Sequence, residues 1–141
     1  MRRPSGLAWL DATLAAEPTK PTIVVMHHPS FDCGIRHMDK IKLRRAEQFN
    51  ALIARHSQVQ RILCGHHHRV ITTQIAQATA MIGPGVAHIV TLDLFSDNVG
   101  QWALEPASYY VHAWVEGAGI ISHQAWVESY PGPYPFTSDP E

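Results

Sequence analysis

The sequence has 141 residues, enough for one hydrophobic core but short for two independent ones. Lysine and arginine total 11 against 12 acidic residues, so no net field draws the chain to a nucleic-acid polymer or an anionic membrane. The basic start Met1-Arg2-Arg3-Pro4 lacks the apolar stretch of a secretory signal, no run of about 18 apolar residues follows, and two cysteines, Cys33 and Cys64, are too few for a disulfide scaffold; the expectation is a soluble cytoplasmic protein.

Leu7, Leu10 and Leu14 recur at helical spacing and predict an amphipathic helix near residues 6–16, ended by Glu17-Pro18. The run Thr22-Ile23-Val24-Val25-Met26 then reads as a buried strand that gives way to a loop at His27-His28-Pro29. Residues 30–40, with Gly34, read as a long loop. Leu43, Ala46, Phe49 and Ile53 mark a second amphipathic helix, and Val59 to Cys64 a second apolar strand broken by Gly65. The alternation predicts a βαβ-type crossover with two parallel strands in one sheet. From about residue 70 the pattern is of strands alone, at Val70–Ala76, Ala87–Phe95, Gly100–Glu105 and Tyr109–Val115, with turn chemistry at Asp97-Asn98 and Gly100. Tyr130-Pro131-Gly132-Pro133-Tyr134-Pro135 can continue neither a helix nor a sheet interior.

Ten histidines are far more than a chain of this length ordinarily carries, and they cluster where both crossover strands end: His27-His28 and Gly65-His66-His67-His68. Sites in open α/β sheets gather beyond the carboxyl ends of strands, where loops converge on a rigid frame. Gly65 lets the backbone turn sharply enough for His66 and His68 to present rings to one centre or to two adjacent ones. A lone strand-end histidine such as His88 or His112 is ordinarily a surface residue. Several imidazoles desolvated together call for a partner, and transition metal is the partner imidazole suits. Cys64 reads as a small buried hydrophobe, and a Cys64-x-His66 ligand pair or a Cys33–Cys64 bridge as the lesser alternatives.

The segments Ile23-Val24-Val25-Met26-His27-His28-Pro29 and Gly65-His66-His67-His68, in this order and spacing, resemble the carboxyl-side motifs of the calcineurin-like metallophosphoesterases. The second is that family's G-H-x-H. Gly34-Ile35-Arg36-His37-Met38-Asp39-Lys40-Ile41, the strand with Ala87-His88, and Gly132-Pro133-Tyr134-Pro135-Phe136 extend the likeness toward its class III cyclic nucleotide phosphodiesterases and glycerophosphodiesterases. The resemblance implies an α/β fold that is the carboxyl-terminal part of a two-sheet αββα sandwich. Residues 1–141 would be a partial domain, with 106–141 as a strand, cap and proline-rich tail. It further implies that His27 and His66 bind one metal ion and His68 another, with His28 and His67 near the substrate. The family uses two divalent ions (iron, manganese or zinc) to activate water against a small phosphodiester.

The family's D-x-H, G-D and G-N-H-D/E motifs, which carry the bridging carboxylate and the catalytic histidine, have no match in this sequence. The expectation is therefore a phosphodiesterase that is truncated or completed by a separate amino-terminal half, holding one ion by itself. A homodimer through the aromatic strand Tyr109–Trp114 is the other expected assembly. A non-catalytic metal-binding or dimerising fragment, and an α/β domain with incidental histidines, are the rival readings.

Overall fold

The computed structural model describes residues 6–96 and 99–136. Helix α1 (Gly6–Ala16) leads into strand β1 (Thr22–Val25), and a loop with a short helical turn, α2 (Arg36–Asp39), precedes helix α3 (Ala46–Ile53). Strands β2 (Val59–Cys64), β3 (Ile71–Ile75) and β4 (Ala78–Ile82) complete a four-stranded sheet in the order β1-β2-β4-β3. As the crossover pattern predicts, β1 and β2 run parallel, with Val24 beside Ile62; β2 and β4 are parallel too, and β3 returns antiparallel on β4. Two-stranded ribbons follow: β5 (Ile89–Val90) with β6 (Trp102–Ala103), and β7 (Ser108–Val115) with β8 (Gly119–Trp126). The chain is thus α/β with a mixed sheet. Among the described residues no helix is long and apolar enough to cross a membrane.

The core lies between the sheet and the two longer helices, where Leu14, Phe49, Leu52 and Ile53 meet Val59, Ile62 and Ile82. Burial of this apolar set is the main stabilising term. Polar side chains then fix how the helices sit. Gln58 donates to the carbonyl of Leu14 at 2.8 Å, and one Gln77 amide group serves the carbonyls of Ile53, His56 and Val59 where α3 turns into β2. Asp11 binds His56 and Arg55, whose hydrogen bonds hold its carboxyl below the usual range.

Several expected elements differ from those observed. Strand β4 carries little signal because Ala78 and Ala80 are poor strand formers; the sheet uses the alanines for their smallness, with both fully buried between β2 and β3. The β3–β4 turn puts Ala76, not glycine or asparagine, at a φ of 51°. Strand β8 is likewise new, although Gly117 and Gly119, both at a φ of 80°, are ordinary hairpin markers. The expected strands Ala87–Phe95 and Gly100–Glu105 shrink to the two-residue β5 and β6. Asp93 is one reason: its carboxylate accepts from the amides of Phe95 and Ser96, both at 3.0 Å, and so replaces ladder partners with a local turn. The expected Asp97-Asn98 turn lies outside the described residues. Tyr130–Pro135 has no regular structure.

Candidate metal centre

Backbone pairing between β1 and β2 continues beyond both strands. The amide of Met26 donates to Leu63 at 2.9 Å, and that of Gly65 to the carbonyl of His27 at 3.0 Å. This places the His27 ring over Gly65, with Nδ1 3.3 Å from where a Cβ would stand, so a side chain there would press on the imidazole. Past Gly65 the chain turns abruptly. His67 donates its amide to Gly65 at 2.9 Å across His66, whose φ is 74°, as in the rare γ-turn of positive φ, and His68 follows at a φ of 52°. Left-handed backbone at a non-glycine residue costs about 1–3 kcal/mol, and such strain concentrates at functional sites.

The loop after β1 is anchored from the other side. Ser30 donates to Asn50 of α3 at 2.7 Å, Asn50 donates back to the Ser30 carbonyl at 3.1 Å, and Pro29 accepts from Leu43 at 2.9 Å. His27, His28 and His66 therefore meet, with ring centroids 4.9 Å apart for His27–His28, 5.2 Å for His27–His66 and 4.4 Å for His28–His66. One nitrogen from each lies within 4.8 Å of the others. Imidazoles sharing a tetrahedral ion at about 2.1 Å place their nitrogens roughly 3.4 Å apart, so the three rings need only close inward by about an ångström. Nε2 of His66 is buried and has no hydrogen-bond partner among the described residues. Burial, then the neighbouring His28, His27 and His68, hold the His66 ring below its usual pKa and so in the neutral, ligating form. These residues fit a divalent transition-metal ion.

His68 turns away from this trio toward the segment after β4. Its ring packs on His88 with centroids 4.6 Å apart, and its Nδ1 lies 3.0 Å from the His88 carbonyl. A carbonyl only accepts, so Nδ1 carries the proton and Nε2 of the neutral ring keeps the lone pair, the arrangement that metal-ligating histidines favour. His28, expected beside the substrate, stands with His27 and His66. Strand alternation would send adjacent side chains to opposite faces, but regular pairing has already ended at His27, so alternation no longer applies to His28. His67, also expected near the substrate, turns inward and is 1% exposed. There it faces Cys33 and Asp39, a grouping that no spacing in the sequence signals. Cys33 and Cys64 are both free thiols.

Burial pushes His67 down from 6.5 to about 4. Between these values the unfolded chain binds a proton that the folded chain refuses. The stability this contributes is thus complete above about pH 6.5 and is lost as the pH falls toward about 4. The depression corresponds to roughly 3 kcal/mol. Urea unfolding of the metal-free chain should show this fall between neutral pH and pH about 4, and His67→Leu should flatten it. An unchanged slope in that variant would place the acid sensitivity elsewhere.

Imidazoles gathered at the carboxyl ends of adjacent parallel strands of this α/β sheet form a candidate metal centre. Over 94% of its length the chain is 34% identical to a probable glycerophosphodiester phosphodiesterase of Arcobacter nitrofigilis, 49% of which it covers. It is 35% identical over 128 residues to a glycerophosphodiester phosphodiesterase of Enterobacter lignolyticus, and 35% identical over 119 residues to a probable cyclic nucleotide phosphodiesterase of Rhodopseudomonas palustris. No family model matches the chain. The chain is thus similar over most of its length to phosphodiesterases, a likeness consistent with the carboxyl-terminal half of the metallophosphoesterase family, and it spans about half the length of the curated relatives it matches.

Proposed function

We propose that the chain is the carboxyl-terminal part of a metal-dependent phosphodiester hydrolase of glycerophosphodiester or 3',5'-cyclic nucleotide type. In this reading His27 and His66 hold one divalent ion, and His68 faces a second. The observation that carries it is the meeting of His66, whose buried Nε2 has no partner among the described residues, with two further imidazoles at the strand ends. A bound metal pair supplies charge neutralisation of the phosphate and an acidified water. The chain's own part is to keep His66 neutral through burial and to aim His68 through its hydrogen bond to the His88 carbonyl. His28 either closes the first ion's shell or meets the substrate. It also lines a cavity of about 510 Å³ with Lys40, Lys42 and Arg44. Lys42 is engaged by Asp32 at 2.6 Å, which leaves Lys40 and Arg44 better suited to an anionic phosphodiester.

The sheet would be one layer of a two-sheet sandwich, with 106–141 as its terminal strands and tail. Strand β1 is at the sheet edge, with Val25 75% exposed, and an edge of this kind pairs readily with a further strand. A complementing amino-terminal segment fits that edge; a second copy of the chain, joined through β7, is the competing assembly.

The test is hydrolysis of bis(p-nitrophenyl) phosphate with manganese by the chain, by the chain mixed with the amino-terminal half of a glycerophosphodiesterase relative, and by the same mixture carrying His66→Ala. The mixture should outpace the chain roughly 100-fold or more, since two-metal assistance contributes several kcal/mol, and His66→Ala should abolish the gain. A mixture no faster than the chain alone would favour a non-catalytic metal-binding fragment.

A further inference from the structure

We propose that Cys33, Asp39 and His67 form a second metal site, separate from the His27–His28–His66 cluster, that takes a single zinc ion in a structural role. One donor atom from each of the three lies within 4.8 Å of the others. A tetrahedral zinc with sulfur at about 2.3 Å and nitrogen and oxygen near about 2.0–2.2 Å sets its donors roughly 3.3–3.7 Å apart, so closure again needs only about an ångström.

The independent sign of a ligand is His67 itself. It is 1% exposed, and neither Nδ1 nor Nε2 has a hydrogen-bond partner among the described residues. A buried imidazole with both nitrogens unsatisfied is costly, and a metal bond would satisfy one of them. The rest of the site is held in place beforehand. The Asp39 carboxylate accepts from the amide of Cys33 at 2.8 Å and that of Gly34 at 3.1 Å, and from the Cys33 thiol at 3.1 Å. The two amides fix the carboxylate whatever the thiol does. When zinc binds, the Cys33 S–H bond breaks, the proton passes to solvent and a sulfur–zinc bond forms, with no change of oxidation state. One thiolate and one carboxylate then balance the charge of the ion, as suits a partly buried site. A thiolate also selects zinc over manganese.

The consequence for the fold is local. Zinc at His67 would tie the Gly65–His68 turn to the loop that follows β1, and so brace the two segments that carry His27, His28, His66 and His68.

Cobalt is the probe, because a thiolate bound to it gives a near-ultraviolet charge-transfer band that imidazole and carboxylate ligands do not. The whole chain titrated with cobalt should show this band, and Cys33→Ser and His67→Asn should each lose it. Cys64→Ala and His28→Ala should keep it. Cys33→Ser retains a hydrogen-bonding group for Asp39 at a half-buried position, and an unchanged circular dichroism spectrum would separate loss of the ligand from loss of the fold. Its zinc affinity should fall by at least about tenfold, since even partners one shell removed from a metal are worth 10–100-fold. No band in the intact chain, a band that survives Cys33→Ser, or one that vanishes in Cys64→Ala instead would overturn the assignment. Failure of the imidazole centre would appear separately, as absence of the manganese that His27 and His66 are proposed to hold.

Discussion

Alanine at both His66 and His68 is expected to leave the chain without bound manganese after desalting, while His88→Ala should bind as much as the unaltered chain. His66 is the least exposed of the trio, and without it only the two exposed rings of His27 and His28 remain. Two solvated imidazoles hold manganese poorly, so the affinity should drop by about 100-fold or more. His88 contributes its main-chain carbonyl to His68, and that group survives the substitution. His66→Gly adds a further expectation that separates binding from folding. The residue sits at a φ of 74°, where glycine is relaxed and histidine is not. The glycine variant should lose metal and yet unfold at a higher denaturant concentration than the metal-free parent, by about 1 kcal/mol. Equal metal content in all variants would remove the site.

Gly85→Ala should be the most damaging of the glycine substitutions near the centre. An added Cβ would stand 2.7 Å from Cβ of His68 and 2.7 Å from the carbonyl oxygen of His88. Neither atom is the tip of a flexible side chain, so the backbone segments themselves must separate. The same contact is closed by the Gly85 amide, which donates to the His68 carbonyl at 2.8 Å. The expected loss is about 1–3 kcal/mol of stability, as for other overpacked interiors. In the mixture with an amino-terminal half it should be joined by a 10–100-fold weaker second metal ion, because the His68–His88 hydrogen bond is broken. Gly6→Ala is the control: among the described residues nothing lies within 4 Å of that position, and its stability should stay within about 0.5 kcal/mol of the parent. Denaturant unfolding with metal titration measures both quantities, and equal behaviour of the two variants would contradict the packing argument.

The parts of the fold legible in the sequence were those with a strong period or a clear stop. Helix α1, strands β1 and β2 and helix α3 each combine an apolar pattern with a boundary residue, and their order dictates parallel strands. The approach of the two histidine clusters follows from that alone, because parallel neighbours end on the same side. What the sequence concealed depends on tertiary context. Ala78 and Ala80 are strand residues only because β2 and β3 flank them, and Ala76 turns a hairpin without the glycine that would announce it.

The site divides in the same way. His27 and His66 stand at strand ends that periodicity locates. His28 joins them because pairing stops one residue earlier than alternation would require. His67 was concealed for a different reason: three consecutive histidines look alike on paper, but left-handed backbone at His66 and His68 sends the middle ring inward. Cys33 and Asp39 reach it from a loop whose shape is set by the carboxylate's own hydrogen bonds to main-chain amides.

The most direct measurement is anomalous diffraction from crystals of the chain grown with manganese. A peak within bonding distance of nitrogens from both His27 and His66, with His68 directing Nε2 away from it toward a neighbouring position, is the predicted result. Manganese bound elsewhere, with His66 still buried and unpartnered, would contradict the claim that these imidazoles form the metal centre.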